Sequence, residues 1–525
     1  MALLKVGKLL TYCILGGGTV SSAAVLHHND WDVSSIGAVR LGRALTTAVV
    51  IVADYKYTLY GTAHCSSAYN ELKSKVWSFV HLRSAKRLCE LCCINGGCFI
   101  KVGQHIGSLE YLLPYEYVTT MRVLHSDAPK SPVEDVYKVI REELGKDVDE
   151  LFVEFDPEPL GAASLAQVHR ATLKDGTVVA VKVQHPRVKA HTFVDMKTME
   201  LMVHIAEMLF PDFRFRWLAE ESKKNLPIEL DFYNEAKNCE RVAEMFKHFH
   251  FLKVPSVYWE MTTDRVMTME YCPGGQVNDR EYIIKNNISV NEVMRNLTQL
   301  YSEMIFVHGY IHCDPHPGNV LVNKTPTGTQ IVLLDHGLYQ TLTDDFRMNY
   351  CRLWLSLLKA DVNAIRLYAD KMGTGDLYHL FACMVTSRSW KAVENGIDKT
   401  LITEEEESAI QEEASNYIPE ITEILNRVPR QMLLIFKTND LLRGIETMLD
   451  TRAHARSFIT MSSCCVRAVY EEDRAKCKSL VAKLRLDVVA HWTLLQVKLY
   501  EWFLWLRSYT IVKKFIAATN DPVGY

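Results

Sequence analysis

From His169 to Gln184 the chain reads HRATLKDGTVVAVKVQ, two β-rich runs joined by Lys174-Asp175-Gly176. Asp-Gly between such runs is a strong hairpin signal, because glycine supplies the positive φ that a tight connection needs. The second run reads as a buried strand that ends in a lysine, Lys182. An antiparallel hairpin must find further strands or a helix to cover it, so this stretch forces a sheet into a chain that is largely helical on either side.

The flanking sequence supplies the rest of the plan. Residues 36–145 read as helices: LRSAKRLCELCCINGG is an amphipathic run stopped by Gly96-Gly97, and SPVEDVYKVIREELGKDVDELF is a second, with Pro132 in its first turn. After the hairpin come a helical stretch through Phe210, the helical ELDFYNEAKNCERVAEMFKHF, and two further strands, FLKVPSVYWE and DRVMTMEY. Beyond the turn Cys272–Gly275 the chain is mostly helical, interrupted by short strands at VLVN and IVLLD. The fold class is α+β, in two lobes. The expected organisation is a targeting or membrane-associated segment (1–35), a helical extension (36–149), a main domain (150–465, divided into 150–272 and 273–465) and a helical tail (466–525).

The chain has 525 residues, 48% hydrophobic and 23% charged, the balance of a globular protein of two or three units. Lys plus Arg total 59 against 63 for Asp plus Glu, which argues against a nucleic-acid partner. Lys5 and Lys8 precede any acid, and no Asp or Glu comes before Asp30. That start is compatible with a mitochondrial presequence, a secretory signal ending near Ser22-Ala23-Ala24, or a plain helix. The fourteen cysteines follow no disulfide framework, and Cys89, Cys92, Cys93 and Cys98 read as packed thiols rather than a zinc site. TEEEES at 403–408 reads as Thr403 capping a helix with glutamates in its first turn. The tail YEWFLWLRSYTIVKKFIAA packs on the domain or lies on a membrane surface.

Several motifs carry chemistry. GAASLAQV at 161–168 has the outline of the phosphate loop G-x-G-x-x-G-x-V of protein kinases, with Gly161, Ala163 and Ala166 on the glycine positions and Val168 on the valine. Alanine at 163 and 166 is expected to cost about 1 kcal/mol at each position that needs glycine's freedom. Val179-Ala180-Val181-Lys182 then supplies a lysine for the α- and β-phosphates, and Glu235 a carboxylate to hold it. In IHCDPHPGNVLV, the residues His312, Asp314 and Asn319 fit H-x-D-x-x-x-x-N. Asp335 ends the apolar run IVLL, followed by His336-Gly337, a D-x-G with its middle residue changed. Asp335 and Asn319 suit Mg²⁺, while Asp314 faces the acceptor. His312, Cys313, Asp314 and His316 could instead form a metal cluster, but two prolines and an asparagine fit a loop better.

With KVGQ at Lys101–Gln104 and ELDFYNEAKN at 229–238, this ordered set resembles the AarF/UbiB family of atypical kinases over roughly residues 90–470. The passages RLCELC, LGAASLAQVH, KNLPIELDF, YSEMIFVHG, HCDPHPGNVLV and LLDHGLYQ carry the likeness. The resemblance implies a protein-kinase-like fold that binds ATP or ADP with Mg²⁺. It places Gly161, Ala162, Ala163, Ser164, Leu165, Ala166, Gln167, Val168, Lys182, Glu235 and Glu270 at the nucleotide, Asp314 and Lys182 in catalysis, and Asn319 and Asp335 on the metal. Lys101, Gln104, Glu229 and Asp231 belong to the regulatory extension, with Lys101 and Glu229 either holding it in place or KVGQ merely capping a helix.

The resemblance also implies a mitochondrial address at the inner membrane, ahead of the secretory route. It implies membrane-lipid or membrane-protein partners and a role in lipid or quinone homeostasis. The sequons at Asn287, Asn296 and Asn323 do not favour secretion. No A-P-E follows Asp335, and His316 stands where Ser/Thr kinases use a lysine. Both departures favour a small-molecule phosphotransferase or ATPase over a protein Ser/Thr kinase, with a nucleotide-sensing scaffold as the remaining alternative.

Overall fold

The structure is a computed structural model that describes residues 36–60, 70–107, 113–126, 130–209, 216–396, 417–449 and 454–508. The N-terminal segment 1–35, the acidic stretch 403–408 and the end of the tail lie outside the described residues. The chain divides into two compact units, Met1–Val242 with Pro255–Cys272, and Ala243–Val254 with Pro273–Tyr525.

In the first unit, Phe152–Phe155, Ala166–Leu173, Val178–Gln184 and Val266–Glu270 form an antiparallel sheet in that order, and Gly161–Ala162 pairs on the second of them. Lys182 sits opposite Val168 on one side and Met267 on the other. Helix Val133–Leu144 covers one sheet face, burying Val136, Val139 and Ile140 against Val179, Val181 and Val183. A second core joins Phe99, Ile100, Met121 and Leu124 of the helical extension to Leu165, Val188, Leu226 and Leu230. Arg40 and Asp195, 4% and 1% exposed, form a bidentate pair that ties helix Gly37–Tyr60 to helix Val188–Leu209.

Two sequence expectations change here. SPVEDVYKVIREELGKDVDELF is not one helix: Gly145, at φ +66°, ends helix Val133–Leu144, and after the short turn Val148–Leu151 the chain enters a strand at Phe152. FLKVPSVYWE is not one strand. Pro255 has no N–H to give a ladder, and the chain changes unit there: Leu252–Lys253 pairs with Gly328–Leu333 in the second unit, while Val257 bridges Met269 in the first.

The second unit holds a four-stranded sheet in the order Leu252–Lys253, Gly328–Leu333, Val320–Thr325, Gly275–Gln276, and a separate pair of Tyr310–His312 with Tyr339–Thr341. Helix Val290–Ser302 runs into a π-helical turn, Glu303–His308, before the first strand of that pair. Arg347 donates to the carbonyls of Phe306 (3.0 Å) and Val307 (2.9 Å), groups that a widened turn leaves to side-chain donors. Helix His454–Lys476 passes through the expected boundary at 465/466, and helix Leu480–Ser508 follows it.

Candidate active site

In the first unit, the register of the hairpin brings Lys182 to helix Phe232–Met245. Lys182 Nζ donates to Glu235 Oε1 at 2.7 Å and Oε2 at 2.8 Å, and lies 5.2 Å from the centre of the Phe232 ring. The two side chains are 12% and 3% exposed. Glu235 stands in the first turn of its helix, where the backbone dipole favours a carboxylate. Asp231 Oδ1 accepts from the Asn234 N–H at 3.1 Å, so this aspartate caps the helix that carries Glu235. Glu270 closes the strand beside Lys182 and accepts from the Ser256 N–H at 3.2 Å.

The alanine-rich loop is a tight hairpin. Gly161 pairs with Val168 and Ala162 with Gln167, and the Ala163 N–H donates to the Ala166 carbonyl at 2.7 Å. Ser164 and Leu165 at its tip are buried, and Leu165 belongs to the core of the helical extension. Among the described residues, the non-glycine positions at positive φ are Asn287, Asp335, Ala360 and Ser387, and Gly161 is not among the positive-φ glycines. The expected backbone strain at Ala163 and Ala166 is therefore absent: a loop folded back on its own strand does not demand glycine's conformations.

His185 anchors the loop from behind. Its Nε2–H donates to the Ala163 carbonyl at 3.0 Å, and its Nδ1 accepts from the Ser131 hydroxyl at 2.8 Å, an assignment that uses the neutral ring. Burial lowers the His185 pKa, against the Ala163 hydrogen bond. Gln167 is buried and accepts from the Ser131 N–H at 2.8 Å. Sequence reading missed His185 and Ser131, which lie in no phosphate-loop pattern.

The KVGQ segment lies on helix Cys98–Gly107. Lys101 Nζ meets Glu229 Oε2 at 2.6 Å, and Gln104 donates to the Leu124 carbonyl at 2.9 Å. Gly103 lets the helix pack closely, since a Cβ there would stand 2.4 Å from Leu124 Cδ1. Of the nearby thiols, Cys92 and Cys98 are buried, and burial pushes the Cys89 thiol to about 11 and that of Cys98 to about 12. No group of three or more metal-ligating His, Cys, Asp or Glu occurs among the described residues. Cys89 is half-buried and Cys93 is exposed, so the packed-thiol expectation holds for Cys92 and Cys98 and not for Cys93.

In the second unit, His312 organises the loop that follows Tyr310–His312. Fully buried, it donates through Nε2 to the Asp335 carbonyl at 2.9 Å and accepts through Nδ1 from the Asp314 N–H at 3.3 Å. The neutral ring thus joins the Asp314 and Asp335 segments, and burial lowers its pKa. Asn319 Nδ2 donates to the Asp314 carbonyl at 3.1 Å, and the Leu334 N–H donates to the Asn319 carbonyl at 2.8 Å. Asp335 takes φ +55°, a left-handed conformation uncommon for a non-glycine residue. His336, in the middle of D-x-G, is buried, donates to the Leu333 carbonyl at 3.0 Å and stacks on Tyr339.

Asp335 and Asn319 offer a carboxylate and an amide oxygen, hard donors of the kind Mg²⁺ takes when substrate phosphates complete its shell. The residues present fit that ion. Asp314 has a partner that no motif foretold: Lys437, on helix Arg430–Met448, places Nζ 3.3 Å from Asp314 Oδ1. The sole signal in the sequence is His316, whose presence leaves the place of a nearby lysine to be filled from elsewhere. Asn296, in one sequon, is buried with its amide donating to the Thr329 carbonyl at 3.2 Å.

Comparison with known proteins agrees with these motifs. The ABC1 atypical kinase-like domain matches residues 123–369. The chain is 55% identical over 491 residues to AarF domain-containing protein kinase 1 of Gallus gallus, covering 93% of this chain and 94% of that protein. It is 53% identical to the Mus musculus protein of that name, covering 93% of each. It is 50% identical to AarF domain-containing kinase 1 of Drosophila melanogaster, covering 96% of this chain and 97% of that protein. The chain, with its kinase-like fold, belongs to the ABC1/AarF family of atypical kinases.

Proposed function

We propose that this protein is an ATP-dependent phosphotransferase or ATPase that uses Mg²⁺ at a mitochondrial membrane, on a lipid or other small acceptor, in lipid or quinone homeostasis and membrane maintenance. The observation that carries the reading is the Lys182–Glu235 pair, whose 2.7 and 2.8 Å contacts hold an ammonium ready for phosphate oxygens. Asp314, Asn319 and Asp335 stand on one hydrogen-bonded loop system in the second unit. Mg²⁺, held by Asn319 and Asp335, would neutralise phosphate charge. The protein's own residues would position the acceptor and keep Lys182 in place.

A small acceptor is supported by the short connection after Asp335. The chain passes through Tyr339–Thr341, paired with Tyr310–His312, directly into helix Asp344–Leu358. That leaves little chain to dock a peptide, which weakens the protein-kinase reading. The scaffold reading draws on Ser164 and Leu165, whose burial keeps the loop tip folded away.

The membrane is supported by helix Leu480–Ser508. Val481, Leu484, Val488, Trp492, Leu495, Leu499 and Trp502 recur at spacings of three and four, and each is at least 45% exposed. No described helix is long and apolar enough to cross a membrane. An exposed apolar stripe with two tryptophans suits the interface between headgroups and acyl chains. The experiment is transfer of labelled γ-phosphate from Mg·ATP in the presence of cardiolipin-containing vesicles. A labelled lipid or small molecule supports the reading, and ATP hydrolysis without one selects the ATPase form. Binding without turnover selects the scaffold.

A further inference from the structure

A phosphoryl group in flight spreads negative charge over its oxygens, and sites that transfer it place cations beside the residue that receives the acceptor's hydroxyl. In ordinary Ser/Thr kinases a lysine two residues after the aspartate serves there. In this chain that position is His316, whose Nδ1 is committed to the Gly318 N–H at 3.1 Å and so caps the short turn Pro317–Asn319.

The cation beside Asp314 comes instead from a distant part of the chain. Lys437 lies 123 residues further on, and its Nζ is 3.3 Å from Asp314 Oδ1. The two side chains are 14% and 25% exposed. Helix Arg430–Met448, which carries this lysine, is itself anchored through buried Met432, Ile435, Phe436 and Leu442. A structural ion pair needs no such company of reactive groups, but this one sits on the loop that also carries Asn319 and is bonded through His312 to Asp335.

We propose that Lys437 is the cation that meets the transferring phosphoryl group beside Asp314, taking the part for which His316 lacks a free ammonium. The inference rests on the phosphotransferase reading and adds a residue to it. In the step, the acceptor oxygen forms a bond to the γ-phosphorus while the bond from that phosphorus to the β-γ bridging oxygen breaks. The acceptor's proton passes to Asp314, and ADP leaves with the bonding pair. Lys437 keeps its proton throughout and moves its hydrogen bonding from Asp314 towards the phosphoryl oxygens.

The test compares full-length wild type with K437M and K437R by binding of Mg·ADP, alone and with aluminium fluoride as a mimic of the phosphoryl group in flight. K437M is expected to bind Mg·ADP as wild type does but the fluoride complex about 100-fold more weakly, the loss typical of one charge-stabilising donor. K437R, which keeps the charge and guards against a misfolded K437M, is expected to recover most of that loss. Equal fluoride binding by K437M and wild type overturns the inference, as does parallel weakening of both complexes, which marks a structural role. A wild type that binds no Mg·ADP overturns the nucleotide reading itself, and Lys437's part with it.

Discussion

Lys101 and Glu229 meet at 2.6 Å with side chains only 13% and 7% exposed, so the KVGQ helix is tied by a largely buried ion pair to the end of helix Arg216–Glu229. Removing one partner takes the ion pair away from a charge that stays largely buried. K101M is expected to destabilise the protein by about 3–5 kcal/mol, and K101M/E229M by clearly less. Urea denaturation of both variants measures this, and limited proteolysis across residues 90–125 should show the single variant opening first. Unchanged stability and unchanged cleavage in K101M would leave KVGQ as a helix cap and nothing more.

Gly103 makes a steric prediction on the same helix. A Cβ there would stand 2.4 Å from Leu124 Cδ1 and 3.3 Å from Cys92 Sγ. Overpacking of this kind costs about 1–3 kcal/mol. G103A should therefore lower stability, and G103A/L124A should lose less than the sum of the single losses, because the second change removes the obstructing carbon. Strict additivity in the thermal denaturation of the three variants would show that the contact relaxes freely.

His185 predicts a pH dependence. Its folded-state pKa lies below the ordinary value because burial disfavours the charged ring. Between the folded pKa and the unfolded value of about 6.5, the unfolded chain binds the extra proton. The contribution to stability is present above about pH 6.5 and is lost as pH falls towards the depressed folded pKa, at up to about 1.4 kcal/mol per pH unit for one proton. Denaturation at pH 7.5, 6.5 and 5.5 should show H185Q losing less stability on acidification than wild type. An identical slope in both proteins removes His185 from the titration.

Much of this architecture was legible in the chain. The Asp-Gly turn, the strand that carries Lys182, the spacing from Asp314 to Asn319 and the apolar run before Asp335 are local patterns, and local patterns report local geometry; the strand itself runs on to Gln184, past the expected end at Lys182. What escaped was non-local or depended on packing. Pro255 divides FLKVPSVYWE between two sheets, and only the partners of each half reveal it. Lys437 reaches the Asp314 loop from a helix 123 residues further on, and only His316 hinted that a cation had to come from elsewhere. Ala163 and Ala166 suggested strain by comparison with glycine, yet the hairpin they occupy never visits positive φ. A substitution pattern names the residue that changed, whereas the backbone decides whether the change costs anything.

Asp335, at φ +55° and bonded through its carbonyl to His312, is assigned the carboxylate that holds Mg²⁺. The deciding measurement is thermal stability of wild type and D335N with and without Mg·ATP. A ligand at about 100 times its Kd stabilises the folded state by about 2.7 kcal/mol. The wild type should show a rise of that order that vanishes when Mg²⁺ is withheld, and D335N should show none. A magnesium-dependent rise of equal size in D335N would contradict the assignment.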